Sequence, residues 1–232
     1  MLAIRRSAER GHARYEWLDT HYTFSFSEYH DPRHMGFRSL RVINEDRIAG
    51  GGGFPRHGHR DMEILTYVIE GELKHQDSLG NGSTIRPGEL QRMTAGSGIL
   101  HSEANASETD PIHLLQIWIF PDRAGITPSY EQKEFDRTQA RGRWQTLASR
   151  DARDGSLTIH QDASLSQTFL DPSEVVSYEL GQERHAWLQV VSGSVKAVGV
   201  ELKAGDGLAI SDTELVEVEG LESSAVLLFD LA

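Results

Sequence analysis

The sequence predicts an all-β protein built from two copies of one strand-rich unit. Several short segments are rich in β-branched and aromatic residues, and turns containing Gly, Asn, Asp or Pro separate them. Helical periodicity is weak along the whole chain, so only a few short helices are expected. Short strands with such regular punctuation are typical of a β-sandwich or a β-barrel. The 232 residues are enough for one large domain or two small ones.

Five segments carry the strand prediction, and turn signals such as Glu70-Gly71 and Ser192-Gly193 follow two of them directly. The segments are Ile64–Ile69, Leu114–Phe120, Trp187–Val191, Leu208–Ile210 and Ala225–Phe229. One short helix is expected to begin near Asp171, because an Asp N-cap precedes Pro172 at the first helical position.

The second half of the chain repeats a pattern of the first half. Residues 65–96 and 187–212 both show a strand, a turn with Gly, a second strand, and a glycine turn into another strand. Repetition of a supersecondary unit predicts a duplicated fold. The polar stretch between the two halves suits a linker. We therefore predict a first domain at 1–132, a linker at 133–145 and a second domain at 146–232.

Charge and composition exclude several classes of function. The chain has 35 acidic and 23 basic residues, and its formal net charge of −12 argues against direct nucleic-acid binding. It has no cysteine, which excludes disulfides, thiolate nucleophiles, iron–sulfur clusters and Cys-type zinc sites. The longest strongly apolar stretch, 112–120, is too short for a membrane span. No targeting segment is visible, so we expect a cytoplasmic protein without membrane contact.

Two short stretches contain the residue types that bind transition metals. His57 and His59 follow a run of four glycines, and alternate residues of a strand point to the same side. His101 and Glu103 have the same spacing about forty residues later. Together they predict a site of three imidazoles and one carboxylate. Such a site suits Fe(II), Mn, Co, Ni, Cu or Zn and leaves coordination positions open for substrate or dioxygen.

These two stretches resemble the two motifs of the cupin superfamily. The positions that match are Gly51, His57, His59 and Gly71 in the first motif and Gly88, Gly96, His101 and Asn105 in the second. Thr94 stands where the second motif usually has Pro. The glutamate usual in the first motif would fall at Ile64, and Glu63 is one residue away with its direction undecided by the sequence.

The whole first half resembles the pirin branch of the cupins, in which the carboxylate comes from the His-x-Glu of the second motif, here Glu103. The segments that carry the resemblance include RGH (10–12), WLDT (17–20), TFSF (23–26), YHDPRHMGF (29–37), HGHRDMEILTYVIEG (57–71), AGSGILHSE (95–103) and QIWIFP (116–121). The segment DARDGSLTIHQD (151–162) resembles the start of the smaller second cupin of bacterial pirin-like proteins described as quercetin 2,3-dioxygenases. The resemblance implies a bicupin of two jelly-roll barrels with metal only in the first.

The second half agrees with that asymmetry. Glu183-Arg184-His185 precedes its first strand where a His-x-His pair would stand, and Ser211–Glu214 contains no His-x-Glu. A single histidine without partners is expected to be a surface or cleft residue. His12, His21, His30 and His34 show no ligand spacing in the sequence and are expected not to bind metal.

The resemblance implies a metal-dependent enzyme that opens a flavonol ring with dioxygen and releases carbon monoxide. The cofactor would be one divalent transition metal in the first domain, with Fe(II) favoured, and Glu103 would be ligand, general base, or both in turn. His75 and Gln116 lie where they could reach the ligands from behind. A flat substrate needs an apolar pocket. The residues considered for its lining are Phe24, Phe26, Met93 and Trp118, with Trp17 and Tyr22.

Two alternatives remain open at this point. Eukaryotic pirins are iron-responsive regulators that act through protein partners, so the resemblance also allows a non-enzymatic, redox-responsive protein. Cupins host many reactions on one scaffold, so isomerisation or oxidation of a small acid is a third possibility. The partners expected are therefore a small aromatic substrate with dioxygen, or a protein.

Overall fold

The structure is a computed structural model that describes all 232 residues. It contains 22 β-strands and no α-helix, which confirms the all-β prediction. The only helical segments are short 3-10 helices at Ser7–Glu9, Arg137–Ala140 and Arg153–Gly155. No helix has the length and apolarity that a membrane crossing requires.

Two sheets form the first barrel. A seven-stranded sheet has the order β12-β9-β6-β11-β4-β3-β2, and a four-stranded sheet has the order β5-β10-β7-β8. The bounds are β2 Gly11–Arg14, β3 Leu18–Tyr22, β4 Leu40–Ile48, β5 Gly53–His59, β6 Glu63–Glu70, β7 Leu73–Asp77, β8 Gly82–Ile85, β9 Glu89–Thr94, β10 Ile99–Asn105, β11 Ile112–Ile119 and β12 Ser129–Glu134.

The second barrel repeats this arrangement with a seven-stranded sheet, β1-β20-β17-β22-β15-β13-β14, and a four-stranded sheet, β16-β21-β18-β19. The bounds are β1 Leu2–Arg5, β13 Gln145–Ser149, β14 Leu157–Thr158, β15 Ala163–Leu170, β16 Val175–Glu179, β17 His185–Ser192, β18 Ser194–Ala197, β19 Val200–Lys203, β20 Gly207–Ile210, β21 Leu215–Gly220 and β22 Ser224–Leu231. The run β6 to β9 corresponds to β17 to β20, as the internal repeat predicts.

All five predicted strands are present, and their alternation explains how the two barrels pack. In β11, Leu115 and Ile117 lie on the outer face of the seven-stranded sheet, while Ile112 and Leu114 point into the barrel. The outer faces of the two large sheets meet in a core of 21 buried residues, to which the second barrel contributes Trp187, among others. A strand buried on both faces must be apolar at nearly every position, which is what the run Leu114–Phe120 shows.

The interiors of the two barrels differ in chemistry. The second barrel is filled by 15 buried residues, all of them Ala, Val, Leu or Ile. The first barrel holds smaller apolar clusters of seven and four residues, at different places along its length. Polar side chains take up the remaining interior, among them His101 and Glu103, which are 1% and 4% exposed. The first barrel is therefore the one with space and donors for a ligand.

The prediction of a helix near Asp171 is wrong. The segment forms a single tight turn in which the Glu174 backbone N–H donates to the Asp171 carbonyl at 3.1 Å. The Asp171 N–H donates to the Glu174 carboxylate, as at the start of a helix, but no helix follows. Ser173 has φ +69°, outside the helical region, and the β-branched Val175 begins β16. The local capping signal is real, but the strand that follows leaves no length for a helix.

The first strand of the chain belongs to the second barrel. Strand β1 pairs antiparallel with β20, from Leu2 opposite Ile210 to Arg5 opposite Gly207. Residues 133–145 contain the end of β12 and the 3-10 helix Arg137–Ala140, and Phe135 is buried in the core between the barrels. The domain boundaries given above stay a prediction. Residues 2–5, which they assign to the first domain, add a strand to the seven-stranded sheet of the second barrel.

Phe229 tests how much the core between the barrels contributes to stability. Its side chain is fully buried and lies opposite Trp187 in the β17–β22 pair. We expect Phe229→Ala to lower the free energy of unfolding by about 3–5 kcal/mol, because it removes buried contacts and leaves a cavity. Phe120→Ala is the matched control, since Phe120 is 44% exposed, and it should cost less than about 1 kcal/mol. Equal losses in chemical denaturation would show that this core does not hold the barrels together.

Candidate metal centre

Strand pairing brings the predicted histidines together. In the β5–β10 ladder, His101 lies directly opposite His57, and His59 lies opposite Ile99. One donor nitrogen from each of the three imidazoles lies within 4.8 Å of the other two. The Nε2 atoms of His57 and His101 are 3.0 Å apart. The alternation argued from the sequence therefore places these side chains in one cluster.

Glycine allows β5 to approach β10 this closely. A Cβ atom on Gly53 would lie 2.5 Å from the Glu103 carbonyl oxygen and 2.7 Å from Ala104 Cα. No side chain can be accommodated against backbone at that distance. The glycine run before His57 thus sets the spacing of the strand pair that carries the histidines.

Glu103 enters the barrel interior beyond a break in the ladder. The β5–β10 register shifts between His101 and Glu103, and Glu103 lies opposite His75 on β7. Donor atoms of His75, His101 and Glu103 form a second group within 4.8 Å. His101 is shared by both groups, so all four predicted residues lie around it.

A chain of hydrogen bonds fixes the orientation of the Glu103 carboxylate. Gln116 Nε2 donates to both carboxylate oxygens at 3.0 Å, as the prediction of a supporting role for Gln116 requires. Thr66 Oγ1 donates to Gln116 Oε1 at 3.0 Å, and Gln91 Nε2 donates to Thr66 Oγ1 at 3.3 Å. Three strands of the large sheet thus hold a carboxylate that is carried by the small sheet.

Burial sets the protonation of the cluster. It lowers the pKa of His101 to about 3 and that of His59 to about 4, with a smaller contribution from the positive charge of neighbouring histidines. Burial also raises the pKa of Glu103 to about 7, and nearby Asp46 raises it further while Gln116 opposes the shift. Without a metal, His59 and His101 are neutral near pH 7.

The donor set fits a divalent transition metal. His57 Nδ1 donates to the Pro55 carbonyl at 2.8 Å, which leaves the lone pair on Nε2, the atom that faces His101. Fixing the tautomer through the second ring nitrogen is how proteins prepare imidazoles for metal binding. Three neighbouring imidazoles, with one carboxylate next to His101, are ligands suited to Fe(II), Ni(II), Cu(II) or Zn(II).

A cavity of about 280 Å³ opens beside the cluster. Phe26 and Trp118, two of the residues considered for the pocket, lie in its wall. Their rings are 5.2 Å apart and edge to face, and the Trp118 ring contacts His59 at a centroid distance of 4.8 Å. The remaining lining residues are Asn44, Asp46, Phe54, Pro55, His57, His59, Glu103 and Gln116.

Four of the residues considered for the pocket lie elsewhere. Phe24 is 2% exposed in the core between the barrels, where its ring packs 4.9 Å from that of Trp187. Met93 is fully buried in an apolar cluster inside the first domain. Trp17 packs behind Phe54, and Tyr22 is buried against Phe26. The sequence shows that these side chains are large and apolar but not which of several buried clusters each one joins.

Polar residues at one end of the cavity were missed by the sequence analysis. Asn44 and Asp46 on β4 are 5% and 4% exposed and point into the barrel. Asn44 Oδ1 and Trp118 Nε1 are buried without a hydrogen-bond partner. Burial raises the pKa of Asp46 to about 6. The sequence signal for these two residues is the alternation in β4, which places Asn44 and Asp46 on the same face as the apolar Val42 and Ile48.

The direction of Glu63 is settled by the strand that follows it. Glu63 has the same parity as Leu65, so it points out of the first barrel and towards the second. Its carboxylate is fully buried and accepts hydrogen bonds from Thr94 Oγ1 at 3.0 Å and from His160 Nδ1 at 3.3 Å. Glu63 therefore joins the two domains and takes no part in the histidine cluster. Glu103 is the carboxylate beside the imidazoles.

Histidine 185 in the second domain has a different environment. Its Nδ1 atom lies 2.8 Å from Ser211 Oγ, and its ring contacts the edge of Phe37. The neighbouring Arg184 is paired with Asp162 and Asp230. None of the groups of three or more converging His, Asp or Glu side chains includes a residue of this domain.

Comparison with known families covers both domains. A family model described as Pirin matches residues 3–119, and one described as Quercetinase C-terminal cupin domain matches residues 146–231. The two domains are therefore both cupin-type, as the resemblance implies.

Several similar proteins carry related descriptions. A quercetin 2,3-dioxygenase of Escherichia coli K12 is 51% identical over 100% of this chain and 99% of its own length. A putative quercetin 2,3-dioxygenase of Pseudomonas aeruginosa is 45% identical over 98% of this chain and 99% of its own. The crystal structure of the bacterial pirin YhhW of E. coli in complex with nickel(II) has 50% identity and a TM-score of 0.95, covering 100% of this chain and 99% of its own.

Glu103 gives the metal-free protein a pH-dependent stability. Its folded pKa of about 7 lies above the usual 4.5, so the folded state binds more protons than the unfolded state between these values. The contribution of Glu103 is therefore most favourable below pH 4.5 and falls by about 3 kcal/mol as the pH rises to 7.

The measurement is denaturant unfolding of metal-free protein and of Glu103→Gln from pH 4.5 to pH 8. The stability of the variant relative to the native chain should rise with pH and level off above pH 7. A difference that is constant with pH would show that the carboxyl titrates normally.

Proposed function

This chain belongs to the pirin family, and we propose that it is a metal-dependent dioxygenase acting on a flavonol or a related enol-bearing aromatic. The observation that carries the proposal is the convergence of His57, His59 and His101, with Glu103 at His101, beside a cavity with an aromatic wall. Such a cavity next to a metal-binding donor set is a default site for a reaction on a bound small molecule. The descriptions of the relatives as quercetin 2,3-dioxygenases support the same reading.

We assign the ligands as His57, His59, His101 and Glu103, with Fe(II) as the expected native metal. The relative from E. coli has been crystallised with nickel(II), which supports the binding of a divalent transition metal. When bound, such a metal would supply Lewis acidity for the substrate hydroxyl and a redox-active centre for dioxygen. Flavonol cleavage opens the central ring and releases carbon monoxide.

Glu103 has a second proposed role as the acceptor of the substrate proton. The flavonol 3-hydroxyl must lose its proton to react with dioxygen, and Glu103 is the cluster carboxylate that lines the cavity. Gln116 holds both carboxylate oxygens and so keeps the group aimed at the cavity. A positioned acceptor within reach of the hydroxyl contributes more to the rate than one that must first be oriented.

The cavity walls supply binding and orientation. Phe26, Phe54 and Trp118 form an apolar surface that suits a flat aromatic ring. Beside this surface, Asn44 Oδ1 has no partner, so a hydroxyl group of a ligand would satisfy an acceptor that is otherwise unpaired. About 280 Å³ is close to the lower end of the usual range for ligand pockets, roughly 300 Å³. This size favours a compact ring system.

Flavonol turnover tests the proposed activity directly. Iron-loaded protein incubated with quercetin without oxygen should release carbon monoxide when air is admitted. After dialysis against metal-free buffer, His57→Ala and His101→Ala should retain no iron and show no turnover, because each loses a ligand nitrogen.

His185→Ala is the matched control and should keep metal and activity, since His185 lies in the second barrel. A fully loaded protein that releases no carbon monoxide would contradict flavonol cleavage. That result would leave the redox-responsive regulator and the other cupin reactions as the remaining alternatives. Retention of a full equivalent of iron by either ligand variant would contradict the ligand assignment.

Asn44 tests the role of the polar end. We expect Asn44→Leu to weaken anaerobic binding of a polyhydroxylated flavonol by about 10- to 100-fold, because a buried acceptor for a substrate hydroxyl is lost. A flavonol that carries only the 3-hydroxyl should bind the two proteins equally. Gln76→Leu, on the exposed side of β7, is the control. Equal weakening for both flavonols in a fluorescence titration would show that Asn44 acts through packing alone.

A further inference from the structure

Two imidazoles and one carboxylate lie close together on the hairpin of β2 and β3, outside the barrel. His12 lies directly opposite His21 in the ladder, and Asp19 precedes His21 by two residues on the same face. The alternate residues Leu18, Thr20 and Tyr22 are buried on the inner side, so Asp19 and His21 project from the outer face of the large sheet. We call His12, Asp19 and His21 the hairpin triad.

The donor atoms of the hairpin triad are spaced as a small cation requires. His12 Nε2 lies 2.9 Å and His21 Nδ1 3.8 Å from the same oxygen, Asp19 Oδ1. The three donors all lie within 4.8 Å of one another. Tetrahedral coordination with bonds of 2.0–2.1 Å separates ligand atoms by about 3.3 Å, so small side-chain rotations would close the site around an ion.

The two imidazoles of the hairpin triad lie against each other. Their rings stack at a centroid distance of 4.3 Å with an angle of 14° between the planes. The stack places both imidazoles on one side of the hairpin, next to the Asp19 carboxylate.

Neighbouring charges do not block the position. Arg10 is paired with Glu45 at 2.7 Å, and His113 Nε2 lies 2.9 Å from the other oxygen of Glu45. Arg14 Nε is 3.9 Å from Asp19 Oδ2, and its side chain is 79% exposed, so it can move into solvent at little cost. The Asp19 carboxylate therefore remains available as an anionic ligand.

We propose that His12, Asp19 and His21 form a second metal site, an exposed one that binds Zn²⁺ or a similar borderline divalent cation. Two imidazoles and one carboxylate are a ligand set that Zn²⁺ accepts, with water in the remaining position. The site is independent of the proposed dioxygenase, because it lies on the opposite face of the large sheet from the cavity. It joins the edge strand β2 to β3, so an ion bound there holds the edge of the sheet.

Zinc stoichiometry tests the proposal. In equilibrium dialysis with free Zn²⁺ at pH 7.5, the native chain should take up two equivalents. The double variant His12→Gln/His21→Gln and the single variant Asp19→Asn should each take up one. His57→Ala should also keep one equivalent, which belongs to the hairpin triad. His30→Gln, an exposed histidine outside any such group, should keep two.

Three outcomes would overturn the proposal. One is uptake of a single equivalent by the native chain. Another is equal uptake by the native chain and the His12→Gln/His21→Gln variant. A third is a His57→Ala protein that binds no zinc. Circular dichroism confirms that each variant is folded, and Asp19→Asn preserves the side-chain shape if the histidine variant does not fold. Loss of flavonol turnover in the hairpin variants is not expected, so failure of the proposed enzyme activity leaves this test unaffected.

Discussion

The position of β10 between β5 and β7 is the constraint on which the rest of the site depends. One neighbour supplies His57 and His59, the other supplies His75, and β10 itself supplies His101 and Glu103. Grouping so many polar side chains inside a barrel costs free energy unless each finds a partner. The glycine at Gly53 permits the close approach, and the register shift after His101 turns Glu103 towards Gln116. Gln116 of the large sheet then holds the carboxylate of Glu103, which the small sheet carries.

The two barrels differ in the side chains that fill them, apolar in the second and partly polar in the first. The second is filled with aliphatic side chains and packs its large sheet against that of the first. This leaves the first barrel free to give up part of its apolar interior to polar ligands, since much of its stability comes from the shared core. The contact of His160 with Glu63 shows that the second barrel also provides a partner for a buried carboxyl group close in sequence to His57 and His59.

The sequence predicts what depends on local alternation and fails where partners come from distant strands. Residue parity was enough to group His57 with His59 and His101 with Glu103. The same rule applied to strand β4 predicts that Asn44 and Asp46 point into the barrel. The pocket residues Phe24 and Met93 were misplaced because size and hydrophobicity do not reveal which of several buried clusters a side chain joins. His12 and His21 come together only through the β2–β3 register, which ligand spacing along the chain does not reveal.

The pairing of β1 with β20 has a consequence for the order in which the molecule is made. Leu2 and its partner Ile210 are 210 − 2 = 208 residues apart in the chain. At synthesis rates of about 5–20 residues per second, roughly 10–40 s pass between the appearance of the first strand and that of its partner. The first barrel can therefore assemble on the ribosome while the residues that precede it wait unpaired. Strand β1 is synthesised before every other strand of the sheet that it joins, and it can pair only after β20 has been made.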